Sequence, residues 1–471
     1  MLDIFTSTIA AVSTPPGKGG IAVIRISGPD TVRIVSGVFR SASGISVQDL
    51  RPRRVSYGEI VGLDGNVCDT GLLTVFRAPA SFTGEDCAEI SCHGGVAVTK
   101  EVLSAVIGAG AVPAGPGEFT RRAFSNGKLS LSEAEAVGLL IDADTKEKMQ
   151  LSGNAARGSL SRELAKISGG LSDTMTALYA AVDYPEEDVG DEGEREIHTS
   201  VSKALLSVNR LLDTYSLGRA VTEGVKCVIC GKPNVGKSSV FNLLTGEDSA
   251  IVTDIPGTTR DVLRESVSCG GVTLRLSDTA GIRQTSEQVE AIGVGKAVIE
   301  LESADLIIAV FDSSAKLDGE DLSLIEKLKS LPPENCPVIS VVNKDDLPPA
   351  LSEADLADID SFSSLVIRGS ARTGPDSPLL QDISSAVAEL FNSGHINISH
   401  DAVIWDVRQR DMLEKARRSL EEAKAALDRG DPVDCICSLV EESLAFLDDT
   451  DGRNVDQKIV DQIFSRFCVG K

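Results

Sequence analysis

One glycine-rich segment restricts the possible folds of this chain more than any other feature. Residues 231–238 read GKPNVGKS and lie between an apolar run, VKCVIC, and a helical stretch, SSVFNLLTG. A strand that passes through such a loop into a helix presents backbone N–H groups that bind phosphate oxygens. Lys237 adds a positive charge for the β- and γ-phosphates, and the Ser238 hydroxyl is a ligand for Mg²⁺. The segment therefore predicts a phosphate-binding loop in an α/β domain.

The sequence around this loop alternates between strands and helices. Between residues 221 and 391, strand-like runs such as VTLRLSD, ADLIIAVFD, PVISVVNK and SLVIRGS are separated by other segments. This alternation predicts a doubly wound parallel sheet. Long amphipathic segments precede it and follow it, as in DMLEKARRSLEEAKAALDRG. We therefore expect an all-α domain interrupted by an inserted Ras-like P-loop domain, because sheet domains of this type have neighbouring termini.

The N-terminal part of the chain has a different pattern. Short β-rich runs (GGIAVIRISG, GLLTVFRAP, AEISCHGG) accompany one helical stretch, KEVLSAVIGAGA, which together predict a small α+β domain. An acidic segment, 183–196, is predicted to be a solvated loop between helices. The predicted domains are 1–118 (α+β), 119–217 (first helical part), 218–385 (α/β) and 386–471 (second helical part).

Further motifs follow the loop in the order of a guanine-nucleotide site. DTAG at 278–281 offers an Asp to Mg²⁺ and a Gly amide to the γ-phosphate, and IVTDIPGTTRD offers Thr259 as a metal ligand. In NKDD at 343–346, Asp346 can accept hydrogen bonds from N1–H and the exocyclic amine of guanine, which adenine cannot supply. The residues expected to contact GTP, rather than ATP, are Asn234, Val235, Gly236, Lys237, Ser238, Ser239, Thr253, Asp254, Ile255, Pro256, Gly257, Thr258, Thr259, Asp278, Thr279, Ala280, Gly281, Asn343, Lys344, Asp346, Ser370, Ala371 and Arg372.

The position after DTAG distinguishes this site from that of Ras-like GTPases. There a Gln orients the attacking water, whereas here the residue is Ile282, which is apolar. A K⁺ ion held by the side-chain carbonyl of Asn234 and backbone carbonyls of 253–258 would supply a charge where an arginine finger acts. Alternatively, Asn234 only shapes the loop.

The composition indicates a globular protein of several domains. The chain has 471 residues, of which 42% are hydrophobic and 25% charged. No apolar run is long enough to span a bilayer and no signal peptide is expected, so we expect a cytoplasmic protein.

Ten cysteines show no disulfide framework. Cys227 and Cys230 lie in the strand-like VKCVIC, where their side chains point to opposite faces, so buried thiols are favoured over a metal site.

The net charge of −24 opposes the binding of polyanions, so this chain alone should hold a nucleic acid weakly. Arg121, Arg122 and Lys128 form a local basic cluster, and the two arginines either contact an anionic ligand or form a solvated helix face. Glu118 is expected at a helix N-terminus. His93 has no carboxylate partner visible in the sequence, so a structural role is favoured over acid–base chemistry.

Over essentially its whole length, the chain resembles the tRNA modification GTPase family MnmE (TrmE). The resemblance rests on TPPGKGGIAVIRISG, SFTGEDCAEISCHGG, PGEFTRRAFSNGKLSLSEAEAV, VDYPEEDV, GKPNVGKSS, IVTDIPGTTRDVLRE, DTAGIR and the terminal FCVGK. It implies a K⁺-stimulated GTPase that works with an FAD- and NADH-dependent partner, MnmG (GidA). Together they would add an aminomethyl or carboxymethylaminomethyl group to the wobble uridine of certain tRNAs.

The same resemblance implies roles for particular residues. The N-terminal domain is expected to form a homodimer and to bind a tetrahydrofolate one-carbon donor through Arg25, Glu89, Lys128 and Lys471. Ser238 and Thr259 match the Mg²⁺ positions, and Asn234, Thr253, Ile255 and Thr258 match the K⁺ positions. The residues expected in catalysis are Lys237, Glu290 (which orients the attacking water), Arg283 in the same switch segment, and Cys468. The tRNA is expected to be held mainly by the partner, in a heterotetramer.

Two features leave alternatives open. From the residues alone, Cys468 is favoured as a packed thiol beside Phe464, Phe467 and Val469, whereas the resemblance implies functional importance.

Two other functions compete with tRNA modification. One is a ribosome-assembly or RNA-binding GTPase of the Era/Der type, and the other is a scaffold or signalling switch. The acidic charge and the terminal FCVGK favour the tRNA-modifying enzyme.

Overall fold

The computed structural model of the chain describes residues 6–183, 190–246, 264–277, 301, 304–330, 336–372, 377–391, 396–453 and 455–470. Within these ranges the strands are β1 Ile9–Val12, β2 Ile21–Ser27, β3 Phe39–Ser41, β4 Val55–Val61, β5 Val67–Phe76, β6 Cys87–His93, β7 Val112–Pro113, β8 Val225–Cys230, β9 Arg264–Cys269, β10 Val272–Ser277, β11 Leu306–Asp312, β12 Val338–Asn343 and β13 Leu365–Arg368.

The helices in the same ranges are α1 Thr31–Val38, α2 Val96–Gly108, α3 Glu118–Ser125, α4 Leu131–Ile141, α5 Lys146–Ala156, α6 Ser159–Asp183, α7 Gly190–Asp213, α8 Tyr215–Thr222, α9 Lys237–Thr245, α10 Gly319–Ser330, α11 Glu353–Asp360, α12 Pro378–Phe391, α13 Val407–Arg429, α14 Val433–Thr450 and α15 Gln457–Ser465. Among the described residues, no helix is both long enough and apolar enough to cross a membrane.

The chain divides into two compact units. Unit 1 comprises Met1–Ile141, Ala155–Val201 and Ser419–Lys471, and unit 2 comprises Asp142–Asn154 and Ser202–Arg418. The helices α7 and α13 each contribute one part to each unit. The two units contain the expected α+β part, long helices and α/β part, so the predicted fold class is confirmed. The exact domain boundaries given above stay predictions.

Unit 1 is built on a seven-stranded sheet in the order β3-β4-β5-β6-β2-β1-β7. Neighbouring strands are antiparallel except β1 and β7, which are parallel. Ala22, Ile24 and Ile26 alternate along β2 and are buried in one core with residues of α1 and α2. The intervening residues of β2, Ile21, Val23 and Arg25, are less buried, because side chains alternate between the two faces of a strand.

Unit 2 contains a six-stranded sheet in the order β13-β12-β11-β8-β10-β9. The predicted parallel arrangement holds for five strands, but β9 pairs antiparallel with β10. The reason is the two-residue connection Gly270–Gly271, in which both residues have positive φ (61° and 81°). So short a turn joins two adjacent strands as a hairpin, whose strands are antiparallel.

Two expectations about helices were wrong. The N-terminal domain has a helix, α1, besides the predicted one, and four of its eight residues are buried. The acidic segment predicted to be a loop is helical from Gly190 onward. A helix is favoured there because Ile197, Val201 and Val208 form a buried stripe at helical spacing, and acidic side chains stabilise a helix N-terminus.

Candidate functional site

The glycine-rich loop of unit 2 connects β8 to α9, as predicted. Gly236 caps α9 in the left-handed region, with φ of 106°, and Gly231 has φ of 147°. A Cβ atom on Gly236 would clash with the Asn343 side chain, and one on Gly231 would clash with the carbonyl of Val310. Both glycines are therefore required by backbone conformation and by close approach. The loop leads into a helix N-terminus, where free N–H groups and the helix dipole favour an anion.

Lys237 lies at the start of α9 and bends back over the loop. Its Nζ donates hydrogen bonds to the carbonyls of Gly231 at 2.8 Å and Lys232 at 2.7 Å. Burial lowers the pKa of Lys237 below its ordinary value. The ammonium group is thus positioned over the loop where phosphate oxygens would compete for its protons.

Asn343 ends β12 and links two loops of the site. Its Nδ2 donates to the carbonyl of Val235 at 2.8 Å, and its Oδ1 accepts the backbone N–H of Ala371 at 3.0 Å. The side chain is buried, so both hydrogen bonds are protected from water. Asn343 therefore fixes the phosphate loop relative to the Ser370–Arg372 segment, and a side chain of another shape would not make both bonds.

Lys344 has positive φ, 64°, and its side chain connects the same loop to β11. Its Nζ donates to the carbonyl of Asn234 at 2.7 Å and to the Asp312 carboxylate at 2.5 Å. Burial acts to raise the pKa of Asp312, but hydrogen bonds from Lys344 and Ser314 outweigh it and lower the pKa. Asp312 was not among the predicted site residues, although its position at the carboxyl end of a buried strand was a usable signal.

Asp346 follows β12 and Arg372 follows β13, and their side chains form a loose ion pair. The Asp346 side chain is partly exposed and the Arg372 side chain is largely exposed. Arg372 Nη1 lies 3.9 Å from Asp346 Oδ2. Ser370 Oγ accepts the backbone N–H of Arg372 at 3.4 Å. Because the Asp346 carboxylate is open to solvent, it is available to accept hydrogen bonds from a ligand.

Lys232, in the phosphate loop, forms ion pairs with two carboxylates that the sequence did not predict. Its Nζ donates to Asp318 at 2.8 Å and to Asp321 at 2.5 Å, near the start of α10. Desolvation opposes the charge of Lys232, but these two carboxylates outweigh it and raise the pKa. No spacing rule in the sequence connects residue 232 to residues almost 90 positions later, so only the fold identifies the pair.

Part of the predicted site lies outside the described residues. This part comprises Thr253, Asp254, Ile255, Pro256, Gly257, Thr258, Thr259, Asp278, Thr279, Ala280, Gly281, Ile282, Arg283, Glu290 and Lys471. The phosphate-loop residues Asn234–Ser239 and the base-side residues Asn343, Lys344, Asp346 and Ser370–Arg372 are brought together at the carboxyl ends of β8 and β12.

In unit 1, Arg25 and Glu89 face each other on neighbouring strands. They are register partners of β2 and β6, and Arg25 Nη2 lies 2.9 Å from Glu89 Oε1. The Arg25 guanidinium also lies 5.5 Å from the ring centre of Phe82 and 5.8 Å from that of Phe119. Phe119 is fully buried, whereas Phe82 is exposed, so the face combines a charged pair with one accessible aromatic ring, an arrangement that suits a flat polar ligand.

Lys128 and the neighbouring arginines have different surroundings. Lys128 Nζ donates to the carbonyl of Pro79 at 3.1 Å. Arg122 is fully buried, with Nη1 3.1 Å from Glu85 and Nη2 2.9 Å from Glu118, so the solvated-face alternative is wrong for it. Arg121 pairs with Asp461 at 3.0 Å. These pairings neutralise the two arginines, because each has a carboxylate within hydrogen-bond distance.

His93 has the carboxylate partner that the sequence did not reveal. Its Nδ1 lies 2.7 Å from Asp69 Oδ1, and its backbone N–H donates to Asp69 Oδ2 at 2.8 Å. The ring is exposed, whereas the Asp69 side chain is largely covered. Acid–base chemistry at His93 was disfavoured because no carboxylate partner was visible in the sequence. That premise is wrong.

Cys468 is exposed, so the packed-thiol alternative is wrong. The C-terminal segment is nevertheless anchored: the carbonyl of Cys468 accepts the N–H of Gly117 at 3.3 Å, and the carbonyl of Gly470 accepts the Ser13 hydroxyl at 2.9 Å. Cys227 and Cys230 are buried in β8 as expected. Among the described residues, no cluster of three or more His, Cys, Asp or Glu side chains is suited to a metal ion.

Comparison with known proteins identifies the family. The family model for the GTP-binding protein TrmE N-terminus matches residues 8–128, and that for the MnmE helical domain matches residues 131–468. The chain is 37% identical over 465 residues to the tRNA modification GTPase MnmE of Clostridioides difficile, covering 98% of this chain and 99% of that protein. It is 38% identical over 466 residues to the protein of the same name from Lactiplantibacillus plantarum, covering 98% of each.

Two solved structures match smaller parts. The G domain of the T. maritima FeoB iron transporter is 26% identical, with a TM-score of 0.24, covering 35% of this chain and 97% of that one. Era bound to MgGDPNP and a 16S ribosomal RNA fragment is 25% identical, with a TM-score of 0.27, covering 41% and 66%. At these scores neither likeness carries an argument about this chain. The family models and the full-length relatives do: the chain belongs to the MnmE family of tRNA modification GTPases.

Proposed function

We propose that this GTPase uses GTP hydrolysis to control a modification of the wobble uridine of certain tRNAs. The observation that carries the nucleotide part is the arrangement of Lys237, Asn343 and Lys344 around one loop. Each of these side chains donates a hydrogen bond to a backbone carbonyl of residues 231–235. Family membership supports the tRNA part.

The phosphate loop fits a nucleoside triphosphate. The N-terminus of α9 offers N–H groups, and Lys237 offers a charge that stabilises the negative charge developing during phosphoryl transfer. Asp346 would select guanine, because its carboxylate accepts from both the ring N–H and the amine of that base. Ala371, whose N–H is used by Asn343, lies in the segment that would face the base.

Two cations would complete the site. Ser238, in the first turn of α9, together with Thr259, would hold Mg²⁺. Asn234 would hold K⁺ through its side-chain carbonyl, with Thr253, Ile255 and Thr258. Lys344 supports this arrangement because it hydrogen-bonds the backbone carbonyl of Asn234 and so fixes that residue in its left-handed conformation. When bound, Mg²⁺ would neutralise phosphate charge, and K⁺ would add a second positive charge that stabilises the transition state.

The remaining catalytic roles follow the same scheme. Glu290 would orient the attacking water in the absence of a Gln after DTAG, and Arg283 would act in the same switch segment. Cys468 would act in the tRNA chemistry rather than in GTP hydrolysis. Its exposure supports a role that needs access to a second molecule.

The sheet face of unit 1 that carries Arg25 and Glu89 would bind the one-carbon donor. A tetrahydrofolate derivative carries a flat heterocycle and carboxylates, and these suit Arg25, Glu89 and the exposed Phe82 ring beside them. Lys128 and Lys471 would bind anionic groups of the same ligand. The donor supplies the one-carbon unit when bound, and these residues bind and orient it.

The chemistry requires other proteins. We propose that the chain forms a homodimer and joins the flavoprotein MnmG (GidA), which brings FAD and NADH, in a heterotetramer in the cytoplasm. The net charge of −24 supports a scheme in which tRNA is bound mainly by that partner.

Reconstitution tests this function. The chain, the flavin partner, 5,10-methylenetetrahydrofolate, an amine, NADH, GTP and unmodified tRNA are combined, and the wobble nucleoside is analysed by mass spectrometry. We expect an aminomethyl-type product that requires both proteins and GTP. Formation of the same product without this chain, or an unchanged wobble nucleoside in the complete mixture, would refute the proposal.

A further inference from the structure

The loop residue Lys232 contacts Lys237 through its main chain and α10 through its side chain. Its carbonyl accepts a hydrogen bond from Lys237 Nζ at 2.7 Å. Its own Nζ donates to Asp318 at 2.8 Å and to Asp321 at 2.5 Å. Because Lys232 lies in neither a strand nor a helix, these two ion pairs tie its position to a regular element, α10.

The two carbonyls that hold the Lys237 ammonium group are fixed in different ways. The first belongs to Gly231, at 2.8 Å from Lys237 Nζ. Gly231 directly follows β8, and a Cβ atom on it would lie 2.4 Å from the carbonyl of Val310 in β11, so the sheet fixes this residue. The second belongs to Lys232, which is one residue farther from the sheet. The position of the Lys237 ammonium group therefore depends on α10 as well as on β8.

The start of α10 is well suited to hold the loop. Asp318 immediately precedes the helix, and its Oδ1 accepts the backbone N–H groups of Glu320 at 3.0 Å and Asp321 at 3.2 Å. In return, Asp321 Oδ2 accepts the N–H of Asp318 at 3.2 Å. Such a reciprocal pair is a capping box, which fixes the first turn of a helix. Lys232 donates to both of its carboxylates and so contacts the most constrained part of α10.

The Asp321 carboxylate also depends on Lys232. Asp321 is 2% exposed, and within the described part of the chain its Oδ1 has no hydrogen-bond partner. A buried carboxylate that loses its cation is strongly destabilising, because its charge is then uncompensated. The pair therefore holds α10 to the loop as firmly as it holds the loop to α10.

Phosphoryl transfer is sensitive to where a cation lies. Charge develops on the phosphate oxygens in the transition state, and a positive group stabilises it only from a fixed position. A displacement of about 1 Å can cost up to ~100-fold in rate. A contact that fixes the carbonyl beneath the Lys237 ammonium group is thus expected to affect the rate.

We propose that Lys232 is a positioning residue for GTP hydrolysis: its ion pairs with Asp318 and Asp321 hold the carbonyl that orients the Lys237 ammonium group for phosphoryl transfer. This proposal rests on the role proposed above for Lys237. Lys232 acts through Lys237, since its own side chain is engaged by α10.

The first variant is Lys232→Met, in the full-length protein, which removes the charge and keeps most of the side-chain volume. It leaves the buried Asp321 carboxylate without its cation. We expect single-turnover hydrolysis at saturating GTP to be about tenfold slower. We also expect the unfolding temperature, followed by circular dichroism, to fall by about 5 °C.

The double variant Lys232→Met/Asp321→Asn separates positioning from stability. Its second substitution removes the buried charge and keeps an acceptor for the N–H of Asp318, so the unfolding temperature should return to within about 2 °C of wild type. Hydrolysis should stay about tenfold slower, because residue 232 still has no ion pair with α10. Affinity for a fluorescent GDP analogue should stay within about threefold, since the N–H groups of the loop still bind phosphate.

Lys329→Met is the matched control. Lys329 lies on the same helix and pairs with Asp358 of α11, and both side chains are partly exposed. This pair links α10 to α11 and not to the phosphate loop. Its loss should leave the rate of hydrolysis and the GDP affinity as in wild type.

The outcomes separate this inference from the function on which it rests. A double variant with the stability and the rate of wild type would overturn the proposal, since the ion pairs would then only stabilise the fold. A slow double variant whose GDP affinity fell by the same factor would also overturn it, because the loss would lie in nucleotide binding. Normal hydrolysis by Lys237→Ala would instead contradict the role proposed for Lys237.

Discussion

At the scale of single residues, a fully buried cation shows how strongly context decides the role of a side chain. Arg122 donates to Glu85, to Glu118 and to the carbonyl of Ser7, all in unit 1. In sequence it is indistinguishable from the neighbouring Arg121, which is partly exposed and pairs with Asp461. The fold places one arginine inside and the other at the surface, because successive side chains on α3 point in different directions.

We therefore expect Arg122→Ala to destabilise unit 1 by about 3–5 kcal/mol, since two largely covered carboxylates would lose their partner. Urea unfolding followed by circular dichroism measures the change. Arg33→Ala is the matched control: Arg33 forms an exposed i,i+3 pair with Asp30, so it should unfold as wild type does. Equal stability of wild type and Arg122→Ala would mean that the buried network contributes nothing.

At the scale of elements, the start of α9 depends on the absence of a side chain. Gly236 has φ of 106° and contacts Asn343 so closely that a Cβ atom does not fit. Gly236→Ala combines this clash with left-handed strain of about 2 kcal/mol, so GTP affinity should fall about 30-fold. Titration of a fluorescent GTP analogue measures it.

Gly319→Ala provides the control for that variant. Gly319 begins α10, and a Cβ atom there meets nothing within 4 Å. Its GTP affinity should equal that of wild type. If both variants bind GTP alike, the conformation of Gly236 is not what shapes the phosphate loop.

Asp312, at the end of β11, is expected to make the stability of unit 2 depend on pH. The folded pKa of Asp312 lies below its ordinary value of 3.8, so its charge stabilises unit 2 above that pH, and this stability is lost as the pH falls through the folded pKa. Thermal unfolding between pH 3 and pH 7 should therefore show a steeper acid decline for wild type than for Asp312→Asn. Asp382→Asn, an exposed change on α12, should leave the decline unchanged. Parallel profiles for wild type and Asp312→Asn would contradict the prediction.

At the scale of the whole molecule, GTP turnover should respond to the monovalent cation. With Ile282 in place of a water-orienting Gln, a bound K⁺ is expected to supply transition-state charge. Turnover should be faster in KCl than in NaCl at equal ionic strength, and Asn234→Ala should remove the difference.

The control for this prediction is Asn242→Ala, on the exposed side of α9, which should keep the K⁺ preference. Steady-state phosphate release at matched protein concentrations measures all three proteins. Equal wild-type rates in the two salts would exclude a catalytic K⁺.

The sequence by itself determined the parts of this protein whose chemistry is local. The loop at 231–238, the strand before it and the helix after it follow from glycines and apolar runs within about twenty consecutive residues, and the structure has them where expected. Only the tertiary structure decided which distant residues meet: Asp312 with Lys344, Lys232 with Asp318 and Asp321, and His93 with Asp69. These partners are separated by 24 to 89 positions, and no local pattern encodes such a meeting, because strand order and register set it.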